Sequence, residues 1–279
     1  MLGKALQLAA AGNISSDIVW PDISTASFVR FDNVVAGNDV RSVFFKPDGT
    51  KIYTCEFGDY IRQATLSTAW DISTHGTADY SMQSNQTYNP SPGGIFIGND
   101  GTELYATDIT FNASKVVQYT MSTAWDLSTA SYTRNYSVNS EEYQVRGVSF
   151  SEDGTLMFVN GTGSDITKYT LSTAWDISTA TYSQTSSSYN SLTTSALGMF
   201  MKPDGTRFYI VSNSNDSIYQ WNNDDYPYDV TTDIGVTTDD SFSVSAQETS
   251  PWSMYISPDG NHLYVGGGAA NGIDQYSLG

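Results

Sequence analysis

The sequence has a single cysteine, Cys55, among 279 residues. No disulfide can form within the chain, so the fold must stand on packing. Basic residues are few, 12 Lys and Arg against 30 Asp and Glu, for a net charge of −18. That balance excludes the basic patches on which nucleic acid or an anionic membrane surface depends. No apolar run approaches the roughly 20 residues that cross a bilayer as a helix, which argues against membrane insertion. Charge of either sign is scarce, at 15% of residues, and Ser, Thr, Asn, Gln and Tyr supply most of the polar positions. Such a composition suits strands and turns on an extracellular or particle surface. It leaves cations or neutral glycans as compatible small partners.

What the chain has in abundance is repetition. The stretch Leu-Ser-Thr-Ala-Trp-Asp-Ile-Ser-Thr-Ala at 171–180 recurs almost unchanged at 121–130 and 66–74. Looser forms stand at Trp20–Ala26 and Tyr228–Thr232. A second motif, Pro-Asp-Gly-Thr or a close relative, places Asp48, Asp100, Asp153, Asp204 and Asp259 at steps of 52, 53, 51 and 55 residues. A fixed period of this length reports architecture. Five units fill residues 15–279 as one domain, behind an N-terminal arm of residues 1–14.

Each unit reads as four short strands. The first precedes the Asp-Gly turn, as in Val43-Phe44-Phe45, Ile95-Phe96-Ile97 and Val148-Ser149-Phe150, and is apolar on both faces in four units of five. Such a strand is sandwiched between layers. The residue ahead of it is always small (Ser42, Gly94, Gly147, Gly198, Ser253), as crowding around a common axis requires. The second strand carries an aromatic column: Tyr53, Tyr105, Phe158, Tyr209 and Tyr264. The fourth, after the Trp-Asp-Ile-Ser-Thr link, is more polar, as at 77–83 and 241–246. Four antiparallel strands repeated five times predict an all-β, five-bladed β-propeller. The chain ends on a third strand and begins, after the arm, with a fourth-strand candidate at 27–32. The N-terminal strand therefore completes the last blade and closes the ring.

A meander of this kind puts the two repeated motifs on one rim and the variable loops on the other. Specific recognition needs asymmetry, so the variable rim is the expected binding face. At the mouth of the axis stand Arg41, Gly93, Arg146, Leu197 and Trp252. Arg41 and Arg146, with Trp252, are candidates for holding an anionic or sugar ligand. The plainer reading pairs the two arginines with acids such as Asp39 or Glu141. The repeated tryptophans read as blade-closing links rather than sugar platforms. Asp224–Asp225 and Asp239–Asp240 lack alternating calcium-ligand spacing. His75, His262 and Cys55 have no evident partners. No catalytic constellation, metal site or cofactor site is expected.

The Pro-Asp-Gly-Thr-Lys-Ile-Tyr and Pro-Asp-Gly-Thr-Arg-Phe-Tyr turns at 47–53 and 203–209 resemble those of broad β-propeller families that include lactonase-like and surface-layer repeats. The lactonase-like members would imply an enzyme, yet their active-site residues map onto no positions here. The N-terminal stretch Leu2-Gly3-Lys4-Ala5-Leu6-Gln7-Leu8-Ala9-Ala10-Ala11-Gly12-Asn13 superficially resembles a signal peptide, but its apolar part is short and broken by Gln7. It also resembles the start of virion structural proteins of marine tailed phages, to whose repeats the Ser-Thr-Ala-Trp-Asp-Ile-Ser-Thr segments are similar. That resemblance implies an attachment arm, with Leu2, Lys4, Leu6 and Leu8 docking on other virion proteins. The implied protein is a non-enzymatic virion component displaying its propeller for assembly or contact with a host-surface glycan. The alternative is a secreted or surface lectin-like module.

Overall fold

The computed structural model describes residues 20–34, 39–84, 91–232, 234–235 and 237–279. The docking arm, with Leu2, Lys4, Leu6 and Leu8, lies outside the described residues. Five four-stranded antiparallel sheets form the blades of a propeller. Blade 1 holds β2 (Val40–Phe45), β3 (Lys51–Glu56), β4 (Tyr60–Thr65) and β5 (Tyr80–Gln83). Blade 2 holds β6 (Pro92–Gly98), β7 (Glu103–Asp108), β8 (Lys115–Met121) and β9 (Ala130–Ser137). Blade 3 holds β10 (Val145–Phe150), β11 (Leu156–Gly161), β12 (Ile166–Leu171) and β13 (Ala180–Thr185). Blade 4 holds β14 (Ala196–Met201), β15 (Arg207–Ser212), β16 (Ser217–Asn222) and β17 (Asp240–Ser243). Blade 5 holds β18 (Pro251–Ile256), β19 (His262–Gly267) and β20 (Ile273–Ser277), and takes its outer strand from β1 (Ser27–Asp32).

Closure is therefore as expected. β1 pairs antiparallel with β20 from Ser27↔Ser277 to Asp32↔Ile273. The buried apolar residues fall into five clusters, each between the facing sheets of successive blades. A closed ring has no terminal blade whose apolar face would need covering, and this arrangement removes that liability. Two outer strands are shorter than their sequence suggests. β5 begins at Tyr80, although the Asp79 N–H still donates to the carbonyl of Gln63 and the Asp79 carboxylate accepts from Thr65 and Gln63. β17 ends at Ser243, where the Val244 N–H turns to the carbonyl of Asp216.

The repeated motifs act together. Each Trp of the link stands at positive φ, +68° at Trp70, +62° at Trp125 and +66° at Trp175. Asp126 and Asp176 accept the N–H groups of Ser128 and Ser178 two residues on, capping the short 3-10 turn that follows. The indole then lies flat on the glycine of the Asp-Gly turn. A Cβ at Gly154, itself at φ +71°, would sit 2.2 Å from the Trp175 ring. The aromatic column of the second strands is fully buried, and three of its hydroxyls cross to the next blade. Tyr53 donates to the carbonyl of Trp125 (2.7 Å), Tyr105 to that of Trp175 (2.6 Å) and Tyr264 to that of Trp70 (2.5 Å). Salt bridges Arg30–Asp71 and Arg134–Asp176 stitch the same joints outside. The tryptophans are scaffold, which bears out the structural reading.

The two histidines are not without partners, contrary to expectation. His75 Nε2 lies 3.0 Å from Asp32, tying the closing strand to blade 1. His262 stacks on Trp70 at 6.3 Å between centroids instead of facing out. Burial lowers the His262 pKa, and Asp259 acts against that shift. Cys55 is wholly buried in the joint between blades 1 and 2.

Candidate functional site

The five inner strands, β2, β6, β10, β14 and β18, surround the axis. The small residues that open them fit the crowding argument. A Cβ at Gly94 would lie 2.6 Å from the carbonyl oxygen of Arg146, and one at Gly198 would lie 2.6 Å from that of Trp252. One position earlier the ring Arg41, Gly93, Arg146, Leu197 and Trp252 converges on a recess of about 10 Å³. That is room for about one water, so this end of the axis is nearly closed.

Arg41 and Arg146 are brought together, as their equivalent repeat positions implied. The Arg146 guanidinium lies 5.4 Å from the centre of the Trp252 ring and that of Arg41 lies 5.9 Å from it. Arg41 also covers Phe57 at 4.7 Å. It donates to the carbonyl of Pro92 (3.0 Å) and to Ser91 Oγ (3.4 Å). The Nε atoms of both arginines are buried without a hydrogen-bond partner among the described residues. The expected pairing with Asp39 or Glu141 is not what holds them. Glu141 instead accepts from Tyr169 and Ser140, and among the described residues neither guanidinium is in a salt bridge. Burial pushes the Arg146 pKa down, and the charge on Arg41 adds to this, while Glu142 opposes it.

Inward of this ring lies a cavity of about 400 Å³ along the axis. Its wall includes Phe44, Phe96, Phe200 and Tyr255, and it runs to Pro47, Asp48, Glu152 and Pro203 at the rim of the repeated turns. The cavity therefore extends toward the uniform rim, opposite to the rim expected to bind. The reason is geometric. Alike turns from five blades hold a regular opening apart, whereas Arg41, Arg146, Leu197 and Trp252 fill the axis at the other end. The volume and the apolar wall with a few polar groups are those of a small-molecule site.

Sequence reasoning missed a belt of buried carboxylates on the variable rim. Glu56 and Asp108 end β3 and β7, where they pair with Arg62 (2.7 Å) and Lys115 (3.0 Å). The matching positions in blades 3 and 5 are Gly161 and Gly267. There Glu142 and Glu248, arriving from the loops between blades, occupy the space a Cβ would take. Glu142 accepts the N–H groups of Gln144 and Gly163, and Glu248 those of Ser250 and Ala269. Burial raises the Glu142 pKa, as it does that of Asp165. Among the described residues no group of three or more His, Cys, Asp or Glu is placed to hold a metal. Asp224 instead pairs with Arg207 at 2.6 Å, and Asp239 accepts the N–H of Asn222.

No protein-family model and no curated protein matches the sequence. Solved structures do share the shape. A provisionally assigned 6-phosphogluconolactonase from Bacteroides uniformis aligns over 86% of this chain and 67% of its own, at 12% identity and a TM-score of 0.47. The periplasmic gluconolactonase PpgL of Pseudomonas aeruginosa aligns over 78% of this chain and 58% of its own, at 15% identity and a TM-score of 0.47. A provisionally assigned 6-phosphogluconolactonase from Bacteroides fragilis aligns over 82% and 63%, at 16% identity and a TM-score of 0.49. The chain thus spans about three fifths to two thirds of these proteins' length. At such identities the likeness speaks for the fold alone. The expectation of a non-enzymatic virion protein is nevertheless corrected: the neighbours of this shape carry enzyme designations, and nothing in the fold or the comparisons ties it to a particle.

Proposed function

We propose that the protein binds a small organic anion in its axial cavity. Arg41 and Arg146 hold the charged group against Trp252, and the aromatic wall takes the body of the ligand. One observation carries this reading: the buried guanidinium of Arg41 and the half-buried one of Arg146 converge at the closed end of the cavity without a salt bridge among the described residues. Two like charges drawn partly out of water and close together cost free energy that an opposite charge offsets. A carboxylate or phosphate does so through the paired N–H donors of the guanidinium fork. The acidic exterior does not oppose this, since at physiological salt its field is screened over about 8 Å.

Calorimetric titration with gluconate, hexanoate and inorganic phosphate tests the reading. At least one should bind, and the double variant Arg41→Gln/Arg146→Gln should weaken it tenfold or more, about 1.4 kcal/mol. An unchanged isotherm in the double variant would overturn the proposal. A hydrolytic role is read on the same protein with a phosphorylated sugar lactone, the compound class named for the neighbouring propellers. Turnover that vanishes in the double variant would support the reaction at this site.

A further inference from the structure

Four of the five inner strands place an aromatic ring at the same repeat position: Phe44, Phe96, Phe200 and Tyr255. Phe96 meets Phe44 at 5.4 Å between centroids, Phe44 meets Tyr255 at 5.3 Å, and Tyr255 meets Phe200 at 5.4 Å, all edge to face. The contacts run unbroken round blades 2, 1, 5 and 4. Blade 3 interrupts the circle with Ser149, which lines the same cavity. Blade 3 thus contributes no ring at this position, and Phe96 and Phe200 stand at the equivalent positions of the blades on either side. Three residues earlier on the same strand stands Arg146, one of the two guanidiniums without a salt bridge among the described residues.

We propose that the axial site takes an aromatic carboxylate. The ligand's ring fills the seat beside Ser149, edge to face with Phe96 and Phe200, and its carboxylate meets Arg146. This rests on the anion reading given above and names the ligand class. A ring in that seat lies between Phe96 and Phe200, and the three contacts already present in the circle fall inside the 4.5–7 Å range of favourable aromatic pairs. Along the strand, three residues span about 10 Å. The Arg146 guanidinium stands over Trp252 at the closed end, and a two-carbon linker, as in 3-phenylpropanoate, carries the carboxylate toward it. A saturated ring of the same size fills the volume but lacks the positive edge and negative face that such contacts use.

The test compares 3-phenylpropanoate with 3-cyclohexylpropanoate by calorimetry, on the wild type and on Ser149→Phe. The wild type should prefer the aromatic acid at least about fivefold, from two edge-to-face contacts. Ser149→Phe supplies the ring that the other four blades already carry, so the preference should disappear. Near-UV circular dichroism reports whether that variant keeps its packing, and the wild-type preference stands as a test without any variant. Equal affinity for the two acids in the wild type, or a preference that survives in Ser149→Phe, would remove the aromatic seat and leave the anion site standing. Binding of neither acid, nor of the anions named earlier, would remove both.

Discussion

Replacing Asp274 by asparagine should stabilise the protein at pH 8 and leave it no more stable at pH 4.5. Asp274 lies on β20 and is 2% exposed. Its pKa is raised to about 7, first by burial and second by the charge of Glu248. Comparison of the blades gives the cause. The position equivalent to Asp274 in blade 1 is Arg62, which pairs with Glu56 at 2.7 Å. In blade 5 the carboxylate is supplied by Glu248 over Gly267, but the partner is a second acid. An acid harder to ionise in the fold than in the unfolded chain, where its pKa is about 3.9, makes the folded state bind more protons between the two values. Stability from this group is therefore full below about pH 4, falls as pH rises to about 7, and is level above. A displacement of about three units amounts to about 4 kcal/mol at most. The amide of the variant, left without a partner, returns about 1–3 kcal/mol of that. The net gain at pH 8 is about 1–3 kcal/mol, or several degrees in melting temperature for a chain of this length. Thermal melts of both proteins at pH 4.5, 6, 7 and 8 measure it. The difference between them should grow from pH 4.5 to 7 and then stop. Parallel melting curves across this range would refute the reasoning. The hydrogen-bonded acids with lowered pKa values, such as Asp126, Asp153 and Asp229, act in a separate window. Their contribution is lost only as pH falls below about 4, so it cancels from the comparison.

Gly154→Ala should destabilise the protein by about 2–4 kcal/mol, because a side chain there meets the Trp175 ring at 2.2 Å and positive φ is strained; urea unfolding measures it, and a change under 0.5 kcal/mol would contradict the role of the indole. Tyr105→Phe should cost only about 0.5–1 kcal/mol, since the carbonyl of Trp175 keeps its second donor, Gln118 at 2.9 Å; a loss above 3 kcal/mol in the same assay would show a larger part in joining the blades. Cys55, buried and with its thiol pushed up to about 12 by burial, should resist a disulfide reagent in the native state. Its labelling should follow global unfolding in urea, and rapid labelling without denaturant would place it elsewhere.

The architecture was legible because the same physical demand recurs five times. The Asp-Gly turn, the small residue at Gly94 or Gly198 and the buried Tyr column each answer a constraint that every blade shares. The strand at 27–32 was equally plain, since only it could complete blade 5. The mouth ring was legible for the same reason: in a closed propeller, an alignment column is a ring in space. That logic applies to Phe44, Phe96, Ser149, Phe200 and Tyr255 as well. Their meaning was hidden because the inner strand is apolar on both faces, so alternation does not tell which residues see the axis. Glu142 and Glu248 were illegible in a stronger sense. They reach the place of Glu56 and Asp108 from a different point on the backbone, and no column of the repeat contains all four. The axial cavity opens toward the uniform rim, while the variable rim is the expected binding face. In a ring, five unlike residues at a narrow mouth can fill it, while alike turns hold an opening. Asymmetry is still where the chemistry lies. It sits in single departures from otherwise uniform rings: two arginines at the mouth, a serine among aromatics, an aspartate where blade 1 has an arginine.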